Sequence, residues 1–155
     1  MTFVVDTNVA VVANDRESPQ ASFQCVEACM QSLRELMSAG RIALDSGDLI
    51  LEEYLPYARW RGQVGVGDTF FKWVVDHYGD QERCNLISIT PQGDSYEEFP
   101  VDARLTAFDP ADQKFVAVAV AHADHPPILQ AVDTKWRAFV EPLTAYGVIV
   151  EFLCD

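Results

Sequence analysis

The chain is poor in basic residues: 11 Lys and Arg stand against 24 Asp and Glu, giving a formal charge of −13 over 155 residues. Sequence-independent affinity for nucleic acid comes from cations that neutralise phosphates, so this balance excludes a simple nucleic-acid coat protein. It does not exclude an enzyme whose acids hold cations locally. No run of eighteen apolar residues occurs, which excludes a helical membrane span. The first apolar run stops at Asp6, with no basic segment ahead of a long apolar stretch, so no secretory signal is expected. A cytoplasmic protein without a membrane partner follows. Cysteine is scarce, and Cys25, Cys29, Cys84 and Cys154 form neither a disulfide framework nor paired Cys-x-x-Cys zinc arms. Reduced thiols are expected. Gly62-x-x-Gly65-x-Gly67 is neither a dinucleotide fingerprint nor a P-loop, which leaves it as a flexible loop.

Half of the chain is apolar, enough for one well-packed core and too little for two ordinary domains, so a single domain over residues 1–155 is expected. Short, continuously apolar runs at residues 3–6, 42–44, 86–89, 128–132 and 148–153 read as buried strands. Between them, Ser18-Pro19 reads as a helix start, with Phe23, Val26, Met30, Leu33 and Met37 recurring at helical spacing until Gly40 ends the helix. Further helices are expected from Ser46 to Arg61, interrupted by Pro56, from Asp68 to Tyr78, from Pro110 to about Ala123, and around Trp136 to Thr144. Alternating strands and helices of this kind indicate a three-layer α/β/α sandwich around a mainly parallel, Rossmann-like sheet. In such folds, groups at the carboxyl ends of the strands line the ligand crevice.

Four acids fall where that crevice would be. Asp6 ends the first strand, Asp133 follows the Ile128–Val132 run, Glu53 interrupts an apolar helix, and Asp112 lies near the start of another. Carboxylates that would repel one another alone become a stable site around Mg2+ or Mn2+, which prefer oxygen ligands. Each acid also has a plainer use. Asp6 and Asp133 are good turn or cap residues, and Asp109-Pro110 is a strong helix start in which Asp109 caps. Thr7 and Asn8 could orient Asp6 or a metal-bound water from the second layer, with Asp109 in a similar supporting position. Glu53 is preferred to Glu52 because neighbours on a helix point about 100° apart. His77, His122 and His125 read as surface residues, and Arg59, Arg61, Lys135 and Arg137 as exposed counter-charges near the acids.

Val5-Asp6-Thr7-Asn8, Glu53-Tyr54, Asp109-x-x-Asp112-x-x-Phe115-x-x-x-Ala119 and Val132-Asp133-x-x-Trp136, in that order over nearly the whole chain, resemble the PIN-domain family of nucleases. The resemblance implies metal-dependent hydrolysis of RNA phosphodiester bonds, with Asp6, Glu53, Asp112 and Asp133 as the acidic site. Many small bacterial relatives are toxins of toxin–antitoxin pairs, so the resemblance points to an antitoxin protein or a homodimer as possible assemblies. Residues 62–104 are longer than a minimal member requires, and the chain is more acidic than a typical RNA-binding surface. Two other readings stay open: a PIN-like scaffold without activity that serves as an interaction module, and an aspartate-nucleophile phosphatase. The second needs an acid two positions after the strand-end Asp, where this chain has Asn8.

Overall fold

The computed structural model describes residues 1–16 and 21–155. In chain order its elements are β1 (Thr2–Val5), α1 (Thr7–Ala13), α2 (Phe23–Ala39), β2 (Arg41–Asp45), α3 (Leu49–Tyr54), α4 (Val66–Asp76), β3 (Cys84–Ile87), β4 (Pro91–Gln92), β5 (Ser95–Tyr96), α5 (Gln113–Ala121), β6 (Ile128–Gln130), α6 (Val140–Ala145) and β7 (Val150–Phe152). Five strands form one sheet in the order β3-β2-β1-β6-β7, every pair parallel, while β4 and β5 make a separate small hairpin. Helices flank the sheet, completing the expected three-layer sandwich. On the helical side, α1, α2 and α4 pack against one another, and α5 lies along β1, β2 and β6.

Parallel strands need crossover connections, and buried strands need apolar side chains on both faces. Val4, Val5, Ile42, Ala43, Leu44, Ile128 and Leu129 meet that requirement and are almost completely buried. The order places β1 at the centre with β2 and β6 on either side, so the reversal of strand order falls beside β1. Asp6 therefore emerges at the switch point, where ligand crevices form in open α/β sheets.

Several boundaries differ from the sequence reading. The Ser18-Pro19 helix start lies outside the described residues; α2 begins at Phe23, where the Ser22 hydroxyl accepts a hydrogen bond from the Cys25 amide at 3.1 Å. The helix expected from Ser46 to Arg61 is shorter. It runs from Leu49 to Tyr54 and tightens into a 3-10 turn over Leu55–Tyr57. Pro56 brings no N–H to continue the ladder, and Ala58 is already extended.

The glycine segment is not a free loop. Gly65 caps α4 and Gly67 lies within its first turn. A Cβ on Gly67 would stand 1.9 Å from the Ala10 carbonyl oxygen, so only glycine lets α1 and α4 approach this closely. Fully buried Asp68 then fastens the segment, accepting hydrogen bonds from the Gly65 amide at 2.8 Å, the Arg59 amide at 2.9 Å and the Arg16 guanidinium. Burial alone would raise its pKa, but those donors outweigh it and hold the carboxyl below its ordinary value.

The cysteines also depart from expectation. Cys25 on α2 is disulfide-bonded to Cys154, 129 positions away, and the Cys29 sulfur lies 3.9 Å from that of Cys154. Cys25 and Cys29 do share a helix face, but the partner on the C-terminal segment is brought there only by β7. The argument for reduced thiols from spacing alone therefore fails. His122 is another correction: it is buried, its Nε2 3.0 Å from Asn85 Oδ1 and its Nδ1 accepting from the Asp124 amide.

Candidate functional site

Asp6 occupies the turn from β1 into α1. Its Oδ1 accepts a hydrogen bond from the Asn8 amide at 3.1 Å, so the cap expected of a strand-end Asp exists. Its Oδ2 points the other way and accepts from Gln130 Nε2 at 3.0 Å. The register explains this neighbour. Val4 pairs with Ile128 and Val5 with Leu129, so the next residues, Asp6 and Gln130, stand side by side. Asn8 completes the arrangement, donating its amide to Gln130 Oε1 and accepting from the Ala131 amide at 3.1 Å.

Glu53 reaches the same region from α3. The Thr7 hydroxyl donates to Glu53 Oε2, and Lys114 Nζ lies 2.7 Å from Oε1. Glu52 is exposed, so the helix turns Glu53 rather than Glu52 toward the sheet. Asp112 ends a 3-10 turn over Pro110–Asp112 and stands at the N-cap of α5, yet its side chain caps nothing. Asp109 does the capping instead, accepting from the Ala111 amide at 3.0 Å while remaining exposed. Asp133 caps the following 3-10 turn through the Lys135 amide at 3.1 Å.

Electrostatics tie the acids together. Burial, first, and then the charges of Asp112 and Glu53 raise the Asp6 pKa to about 7, against the opposing hydrogen bonds from Asn8 and Gln130. Asp112 is raised to about 6, again chiefly by burial, followed by the charges of Asp109, Asp133 and Glu53, with Lys114 acting in the other direction. Four acids from four separate elements thus feel one another at the carboxyl end of the sheet.

They do not draw into a tight cage. Among the described residues, the compact grouping of three potential ligand atoms is the sulfurs of Cys25, Cys29 and Cys154, within 4.8 Å of one another, but Cys25 and Cys154 are joined in the disulfide and offer no thiolate to a metal. Asp6, Glu53, Asp112 and Asp133 form no grouping that compact. The donor set nevertheless suits a hard divalent ion: oxygen ligands only, with the Asp112 carboxylate making no hydrogen bond or ion pair among the described residues.

Three features were missed in the sequence. Gln130 is fully buried, and its signal was a polar residue inside the apolar run Ile128–Val132. Lys114 had no signal, because its reach to Glu53 crosses 61 positions. Asp45 closes β2 as Asp6 closes β1, but both its oxygens are taken by the Leu49 and Ile50 amides at 2.8 Å. It is a helix cap and not part of the acidic group.

Comparison with family profiles, curated proteins and solved structures gave no match. No helix among the described residues is long and apolar enough to cross a membrane.

Proposed function

We propose that this protein is a divalent-metal-dependent endoribonuclease of the PIN type. The observation that supports the reading is that Asp6, at the switch point of a parallel sheet, is within electrostatic reach of Asp112 and Glu53, and Asp112 within reach of Asp133, although the four do not form a tight cage. Asp6, Asp112 and Asp133 would hold Mg2+ or Mn2+, with Glu53 completing the set or orienting water. When bound, such an ion supplies activation of water and stabilisation of the leaving oxygen during attack on a phosphodiester. The chain itself supplies position: Gln130 and the Asn8 amide fix the Asp6 carboxylate, Thr7 fixes Glu53, and Asp109 fixes the helix end that presents Asp112. The substrate and any antitoxin partner or second copy would be met in the cytoplasm.

One observation favours the inactive-scaffold alternative. Lys114 already places a positive charge against Glu53, so one acid has an internal counter-ion. The phosphatase reading has less support, since Asn8 is committed to Gln130 and Ala131 and offers no second acid.

Incubating labelled single-stranded RNA with Mn2+ and the wild-type, Asp6→Asn and Asp112→Asn proteins separates these readings. The nuclease reading expects cleavage by wild type alone. Equal cleavage by all three would expose a contaminant, and no cleavage by wild type would leave the scaffold.

A further inference from the structure

Between Glu53 and Asp68 lie fourteen residues without an acid, in a chain that averages one in about six or seven, and this stretch carries Arg59 and Arg61. It also exposes aromatic surface: Tyr57 and Trp60 are each 52% exposed. Neither arginine side chain has a hydrogen bond or ion pair with any described residue, as is also true of Arg34 and Lys135, whereas Lys72, Arg83, Arg104 and Lys114 are all engaged by acids or carbonyls; Arg59 and Arg61 differ in standing together beside exposed aromatics. The segment is held in shape from beneath. Asp68 binds the amides of Arg59 and Gly65, stapling both ends of the loop to one buried carboxylate. Beside it, Val11, Asn14, Arg16, Pro56, Tyr57 and Arg59 line a cavity of about 200 Å3.

Flat aromatic faces interleaved with cations are the chemistry that holds single-stranded nucleic acid, because every base can stack and every phosphate can pair. Position supports the same occupant. Tyr57 is four residues beyond Glu53, and Asn14 lies at the far end of α1 from Asp6. Eight residues of helical rise separate Asp6 from Asn14, on the order of 12 Å. A stacked strand advances roughly 3.4 Å per nucleotide, so about three to four nucleotides would span that distance.

We propose that Tyr57, Arg59, Trp60 and Arg61 form a stacking platform for single-stranded nucleic acid, leading a strand toward the acidic group. This deepens the nuclease reading and rests on it for the path of the strand. The platform itself binds without metal. An acidic protein partner is the less suitable occupant, because it could pair with Arg59 and Arg61 but lacks the flat bases that the half-exposed faces of Tyr57 and Trp60 would stack.

The test is fluorescence anisotropy of a labelled twelve-nucleotide oligo(U) RNA in EDTA, where binding is read without cleavage. Wild type should bind the single strand more tightly than a duplex of equal length. Trp60→Ala should weaken binding roughly ten-fold or more. Arg59→Ala/Arg61→Ala should lower the slope of log affinity against log salt by about 1.4, the value for two phosphate contacts on a single strand. Unchanged melting curves confirm that the variants fold, as expected for exposed side chains.

Absence of wild-type binding, duplex binding as tight as single-strand binding, or variants that bind like wild type would each overturn the platform. So would loss of self-association in Trp60→Ala without any RNA binding, which would make this face a protein contact. Because cleavage is not read, metal-dependent activity could fail while platform binding persists, and the reverse result would be equally visible.

Discussion

Replacing Asp6 by Asn should change the stability of the protein in opposite directions at low and high pH. A carboxyl whose pKa is raised by folding holds its proton more tightly in the native state, so stability is greatest in acid and falls as pH climbs toward the folded value. For Asp6 that window runs from the ordinary 3.8 to about 7. The shift corresponds to about 4 kcal/mol of stability lost between pH 4 and pH 8. Asn carries no charge and escapes that penalty, but it is not an equal substitute. Its oxygen can keep the Asn8 amide, and its NH2 must then face the NH2 of Gln130. Gln130 cannot simply turn over, since its Oε1 already accepts from Asn8 and from the Ala131 amide at 3.0 Å. Leaving that contact unmade costs about 1–2 kcal/mol. Asp6→Asn should therefore be more stable than wild type by about 2 kcal/mol at pH 8, and less stable by about 1 kcal/mol at pH 4.5. Urea unfolding in EDTA at both pH values reads this directly. At roughly 2–4 °C per kcal/mol, the gain at pH 8 should also raise the melting temperature by about 4–8 °C. If Asp6→Asn destabilises equally at both pH values, Asp6 is an ordinary cap and the argument from crowded charge is wrong.

Mn2+ at a hundred-fold excess over its dissociation constant should stabilise wild type by about 2.7 kcal/mol, and Asp112→Asn should lose most of that gain; an unresponsive wild-type melting curve would count against the site. Gly67→Ala should destabilise by more than about 2 kcal/mol, because its Cβ meets backbone rather than a movable side chain, whereas Gly47→Ala, whose nearest neighbour is 3.4 Å away, should be mild. A similar urea midpoint for both variants would show that α1 and α4 are free to separate. Dithiothreitol should lower wild-type stability by about 2–5 kcal/mol through loss of the long Cys25–Cys154 loop, and should leave Cys25→Ser unaffected. No response in wild type would mean that these thiols are unpaired. Tyr54→Phe should cost about 1–2 kcal/mol, since the buried hydroxyl donates to the Val5 carbonyl at 2.5 Å beside Asp6; stability equal to wild type would show that the carbonyl finds another donor.

The sequence by itself determined the layers of this protein. Short apolar runs bounded by turn residues read as buried strands, and their alternation with helices favours parallel pairing, so the sandwich and the strand-end position of Asp6 were legible from local pattern, although the equally apolar run at residues 115–121 is helical. Asp109 as a cap and Glu53 in preference to Glu52 were legible for the same reason, because capping and helical phase depend on near neighbours. Tertiary structure decided everything that depends on register or distant approach. Gln130 meets Asp6 only because β6 pairs with β1 at one offset, and Lys114 reaches Glu53 only because α5 lies against α3. Cys154 joins Cys25 across 129 positions, and Asp68 turns a glycine-rich run from a loose connection into a fastened loop. Residue spacing reports contacts within a turn or a pleat; contacts between elements are fixed by how those elements pack, and no local pattern encodes them.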